Sequence, residues 1–107
     1  MVHVTDAAKL GLITDVVHDL WFDVTKVVFD ATSRRVRVPI EPDWVLEVAK
    51  VDSCDLQESE GVGLYDINEL LFSRDPRTLK ITTGIPLTFR IGVSQLDVAL
   101  FKDESGQ

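Results

Sequence analysis

The chain has 107 residues, 45% of them hydrophobic, and a formal net charge of −7. That length and composition point to one folded domain, residues 1–107, with a single core, and they exclude a disordered chain. The acidic balance disfavours nucleic acid and anionic membranes, so neither is expected as a partner.

Residues 1–5 read as a short edge strand or a disordered start. They hold no long apolar run, and Asp6 and Lys9 follow, so no secretory signal is expected. No later stretch reaches the length of a membrane-spanning helix. Thr5 or Asp6 can cap a helix. Leu10, Ile13, Val17 and Leu20 then recur at spacings of three, four and three, which is one helical face. Gly11 and the β-branched residues around it shorten that helix, which the pattern places within residues 7–20.

Residues 22–40 read as a β-hairpin whose strands are rich in Val and Phe. Its loop, Ala31, Thr32, Ser33 and Arg34, has no Gly or Asn for positive φ. A longer loop built on a type I turn is therefore expected rather than a tight two-residue one. Pro39 and Pro42 mark a bend or edge. Trp44, Leu46 and Val48 alternate with Val45 and Glu47, the pattern of a third strand. A polar, acidic stretch with Asp52, Asp55, Glu58, Glu60, Gly61 and Gly63 follows. It reads as a solvated loop, into which the strand continues in part through Val51 and Leu56.

A second set of elements then matches the first without a gap. Phe22, Asp23 and Val24 fall on Tyr65, Asp66 and Ile67. Val27, Val28 and Phe29 fall on Leu70, Leu71 and Phe72, and Val36, Arg37 and Val38 fall on Leu79, Lys80 and Ile81. The offset is constant, 43 residues. The second hairpin turns at Asp75-Pro76, again without a residue suited to positive φ. The third strand recurs as Leu87, Phe89 and Ile91. Phe29 and Phe72 are expected in matching core positions. Leu96, Val98 and Leu100 mark a final strand, expected to pair with residues 85–93 through a turn near residues 92–94. Residues 103–107 form a polar tail.

The fold expected is mainly β: two similar antiparallel β-meanders, pseudo-repeats 22–48 and 65–91, forming a sandwich or flattened barrel with one short N-terminal helix. The alternative is an open sheet with the helix across one face.

No nucleophile elbow, P-loop or dinucleotide fingerprint is present. Cys54 is the single cysteine, without a Cys or His at a reactive spacing. It allows no intrachain disulfide and fits a reducing compartment, so a cytoplasmic location is expected. Asp15, His18 and Asp19 share a helical face. They are the residues that a small metal-binding or hydrolytic domain would use. Zinc sites need more nitrogen or sulfur ligands than this segment offers, so neither a metal nor another cofactor is expected, and no catalytic residue is assigned. Asp23 and Asp66 sit at equivalent strand starts, where a carboxylate accepts backbone N–H bonds.

Six of the eleven Lys and Arg residues cluster at the two hairpin tips: Arg34, Arg35, Arg37, Arg74, Arg77 and Lys80. As a patch they suit an acidic protein segment or a phosphorylated ligand. As turn decoration they blunt sheet edges.

His18-Asp19 followed by the hairpin of residues 24–38 resembles small uncharacterised bacterial β-rich domains, some of them similar to toxin-neutralising immunity proteins. The resemblance implies a binding role and assigns no functional residue. The function expected is a non-catalytic protein-interaction module whose partner is another protein or a second copy of the chain. Val45 and Phe101 lie on the outward phase of their strands, and a homodimer would cover them.

Overall fold

In the computed structural model, which describes residues 1–103, strand follows strand. The strands are β1 (Val2–Val4), β2 (Trp21–Asp23), β3 (Val28–Asp30), β4 (Arg35–Ile40), β5 (Trp44–Val48), β6 (Val51–Glu58), β7 (Leu64–Arg74), β8 (Arg77–Thr83), β9 (Leu87–Val93) and β10 (Val98–Lys102). One helix, α1 (Gly11–Val17), follows a 3₁₀ turn at Ala7–Lys9 that Asp6 caps through its side chain. The polar tail expected over residues 103–107 lies, beyond Asp103, outside the described residues.

All the pairings are antiparallel. The sheet order is β1-β10-β5-β4-β2-β7-β8-β9-β6, with β3 paired to β4 off this path. Nine strands laid flat would span about 38 Å, more than the largest extent of the chain, 31 Å. The sheet is therefore strongly curled, with its apolar faces turned inward, and it does not close into a barrel. Only Ala49 and Lys50 separate β5 from β6, although the two strands lie far apart in the sheet order. The curl brings them end to end, with Lys50 at φ 57° to make the corner.

Phe22, Tyr65 and Phe89 are the fully buried aromatic residues. Phe22 is paired directly with Tyr65 across β2 and β7, and its ring centroid lies 5.7 Å from that of Phe89. The helix buries Leu10, Ile13 and Val17, the face read from their spacing. It covers the edge of β7 beyond the end of β2: Leu70 N donates to Thr14 Oγ1 at 3.3 Å, and Asp19 N to the Ile67 carbonyl at 2.9 Å. At the sheet's other end, β1 is tied to β10. Asp97 contacts His3 Nε2 at 2.6 Å and Lys50 Nζ at 3.1 Å.

The pairing registers of the two halves coincide at the offset seen in the sequence. Phe29 pairs with Val36, and Phe72 with Leu79. Arg37 pairs with Glu47, and Lys80 with Arg90. The halves differ at their first strand. In the first, Asp23 accepts from Thr25 N and Oγ1, and a 3₁₀ turn at Val24–Lys26 separates β2 from β3. In the second, β7 runs unbroken through a bulge between Ile67 and Glu69.

Four expectations need correction. Phe29 is not a core residue: it is 40% exposed, because β3 is a three-residue strand with only β4 beside it. Its counterpart Phe72 is half-buried at the margin of the core. The last strand, β10, pairs with β5 and β1 rather than β9, because residues 94–97 cross from one layer of the curled sheet to the other. The second hairpin turns tightly, with Arg74 opposite Arg77. Neither Asp75 nor Pro76 has positive φ, so it is neither a I′ nor a II′ turn. The acidic stretch after Val48 is mostly the eight-residue strand β6, since Cys54 and Leu56 reach the core margin.

Phe22→Ala and Phe89→Ala are expected to cost about 3–5 kcal/mol each as buried aromatics, and Phe29→Ala less than about 1 kcal/mol. Urea unfolding curves check this order. The hydrogen bond to His3, then Lys50, holds the Asp97 carboxyl below its ordinary value of 3.8. The stability that Asp97 contributes is therefore full above pH 3.8 and is lost as the pH falls through its lower folded value. Asp97→Asn should lower the unfolding midpoint at pH 7, and the gap from wild type should close in the acid limb.

Candidate functional site

The six basic residues at the hairpin tips divide by half. Arg34 is paired with Asp52, and its Nε donates to the Val51 carbonyl at 3.2 Å. Arg35 meets Glu47 at 2.7 Å, and Arg37 reaches the other oxygen of Glu47 at 3.6 Å. Each arginine of the first tip therefore meets a carboxylate, Arg35 and Arg37 sharing one. In the second half, Arg74 and Lys80 have no hydrogen-bond or ion-pair partner among the described residues. Arg77 donates to the Ser94 carbonyl at 3.0 Å and meets no carboxylate. Arg34 Nη2 also donates to Ser94 Oγ at 3.3 Å, so the two tips meet at Ser94, which both Arg34 and Arg77 contact.

Strand alternation distributes the second set over two faces. On the outer face a row crosses four strands: Leu71 on β7, Lys80 on β8, Arg90 on β9 and Asp55 on β6. Lys80 and Arg90 are directly opposite, an arrangement of like charges that destabilises a sheet. Asp55 takes Gln57 Nε2 at 2.7 Å and makes no ion pair with Arg90. Leu71 is 44% exposed. Leu71, Lys80 and Arg90, with Phe72, Ser73, Pro76 and Thr78, line an open concavity of about 370 Å³. On the other face, Arg74 and Arg77 line a cleft of about 550 Å³ between the hairpin tip, residues 5–7 and residues 94–96.

The sequence reading missed Arg90, yet a signal for it was present. Arg90 stands 43 residues after Glu47, so the second half has a cation where the first has the acid that serves Arg35 and Arg37. The reading also missed Glu58. Its carboxylate accepts from Gly63 N at 3.0 Å and from the Tyr65 hydroxyl at 2.8 Å, and so closes the loop after β6. Desolvation, then that hydrogen bond, pushes the Tyr65 phenol upward.

The other candidates lie apart from this site. His18 and Asp19 are exposed and touch each other at 3.2 Å. Asp15 is exposed as well. No group of three potential metal ligands converges among the described residues. The two equivalent aspartates hold backbone: Asp23 binds Thr25 N, and Asp66 accepts from Gly84 N at 3.0 Å. A side chain at Gly84 would meet the Asp66 carboxylate. Burial, then the Asp55 charge, raises Cys54 above the ordinary thiol value, so it is a thiol at neutral pH.

Val45 and Phe101 were expected to stand partly wet in a single chain. Val45 is instead 0% exposed, in register between Pro39 and Phe101. Phe101 is half-buried, with the Arg37 guanidinium 5.8 Å from its ring centre. This sheet face covers itself by laying long side chains across it.

Among the described residues no helix is long and apolar enough to cross a membrane. No protein-family model, curated protein or solved structure matches the chain.

The like-charge pair predicts its own relief. Arg90→Glu places a carboxylate opposite Lys80, as Glu47 stands opposite Arg37, and should raise stability by about 0.2–1 kcal/mol. Thermal unfolding at low and high salt measures the gain, which should shrink as salt screens the pair.

Proposed function

We propose that the chain is a non-catalytic protein-interaction module that holds an acidic segment of a partner protein against the outer face of β7, β8 and β9. The observation that carries this reading is the Lys80–Arg90 pair. Two cations stand opposite each other, unneutralised, on a chain of net charge −7. A carboxylate laid between them would relieve the repulsion and gain charge-assisted hydrogen bonds. Leu71 beside the pair would take an apolar side chain of the same segment. In this reading residues 22–48 and 65–91 are two copies of one unit. The first copy keeps its charges paired and the second exposes them. The single thiol of Cys54 accords with a reducing compartment, which we take to be the cytoplasm.

The test is a calorimetric titration with a synthetic peptide of alternating Glu and Leu. The wild type should bind it, more weakly as salt rises. Arg90→Glu should weaken binding at least about tenfold, a loss of about 1.4 kcal/mol, while the fold is slightly more stable. Arg35→Ala, a residue already paired, should bind like the wild type. Equal affinity in the wild type and Arg90→Glu would refute the reading. Light scattering on the same samples separates a partner segment from a second copy of the chain as the occupant.

A further inference from the structure

One contact occurs in both halves, and only one copy of it is complete. Arg34 Nε donates to the Val51 carbonyl, and Arg77 Nη1 donates to the Ser94 carbonyl. Both residues of the second contact lie 43 positions beyond those of the first. In the first half the next residue is Asp52, whose carboxylate pairs with Arg34. In the second half the next residue is Gln95. The guanidinium of Arg77 keeps its backbone anchor and has no acid.

We propose that the cleft beside Arg77 is a carboxylate-binding site, in which a ligand supplies the group that Asp52 supplies in the first half. Arg74 lines the same cleft and has no partner among the described residues, so two guanidiniums face one space. A guanidinium presents its N–H groups in a planar fork that matches the two oxygens of a carboxylate. The acid in the wall, Asp6, has one oxygen engaged by Ala8 N at 3.0 Å. Gln95 Oε1 faces Lys50 Nζ at 3.4 Å, and its Nε2 remains a free donor. Phe72 and Leu96 add apolar surface, and about 550 Å³ is the size of a small-ligand site. The ligand class is a carboxylate joined to an apolar group, either a free organic acid or the acidic residue of a peptide. The site does not depend on the outer-face reading. Arg77 and Lys80 are an odd number of residues apart on β8 and so lie on opposite faces.

The experiment follows the arginine Nε–Hε signals by two-dimensional NMR on the full chain during titration with phenylacetate, and separately with the Glu-Leu peptide. Wild type and Gln95→Asn should show saturable shifts at Arg77. Gln95→Asp builds the missing carboxylate into the chain and should weaken binding roughly tenfold or more. Arg77→Lys, which keeps the charge but loses the fork, should also weaken it. Movement with phenylacetate alone identifies a free acid as the ligand, and movement with both identifies a carboxylate borne by a partner. Arg90→Glu should leave the Arg77 response to phenylacetate intact, so this proposal and the outer-face reading fail independently. An Arg77 signal that phenylacetate does not move, or a Gln95→Asp variant that binds as tightly as wild type, overturns the proposal.

Discussion

The fold depends on the pairing of Phe22 with Tyr65. β2 and β7 are the strands through which the two halves join in the ladder, and these two residues face each other at its centre, both fully buried. Tyr65 is also the residue that corresponds to Phe22 at the constant offset. In an antiparallel pair, corresponding residues directly opposite each other define a local two-fold relation. The remaining strands of each half fan outward from it. The third ring, Phe89, packs on Phe22 from the opposite layer at 5.7 Å, so the same contact that joins the halves also holds the curled sheet shut. Each of these three aromatic side chains buries more apolar area than an aliphatic side chain does.

Much of this was legible in the residues, and the failures have definite causes. Alternation reports the phase of a strand, and so the third strands, the hairpins and their equal registers were readable. Phase does not report whether a layer lies above that face. Phe29 has the inward phase but sits on a strand that nothing covers. Val45 has the outward phase, yet its neighbours on β4 and β10 bury it. Nor does proximity in sequence decide partners once a chain crosses between layers. The short link to β10 reads as a hairpin turn, but Ala49 N donates to the Asp97 carbonyl at 2.9 Å and β10 joins β5. The candidate site was half legible. Basic tips were visible by composition. Which of them had lost their acids required reading the offset onto Glu47 and Asp52 as well.

Charge then separates the halves more sharply than shape does. On the first half, one carboxylate, Glu47, serves two arginines, and Asp52 fixes a third. The corresponding positions on the second half are Arg90 and Gln95. Both differences act in the same direction, leaving cations without acidic partners in a chain that is otherwise strongly acidic. Exposed ion pairs contribute little to stability, so their absence costs the fold little. What changes is the local potential, which sets what can approach.

Backbone geometry explains why the exposed charge lies on the second half. The first hairpin is short and tied down: β3 has three residues, Asp30 holds the backbone of Thr32 and Ser33, and Arg34 reaches to β6. The second hairpin is an eleven-residue strand turning directly into β8, with no 3₁₀ break to shorten it. β9 lies beside β8 as far as Thr78, and strand alternation gives the hairpin end two faces, Lys80 on one and Arg77 on the other. The end of this hairpin can carry one ligand group on each face, because successive side chains point in opposite directions. A tip held by its own ion pairs offers neither face. β7, unbroken where Asp23 and its 3₁₀ turn divide the first half's strand, thus brings Leu71 to the one proposed site and Arg74 to the other.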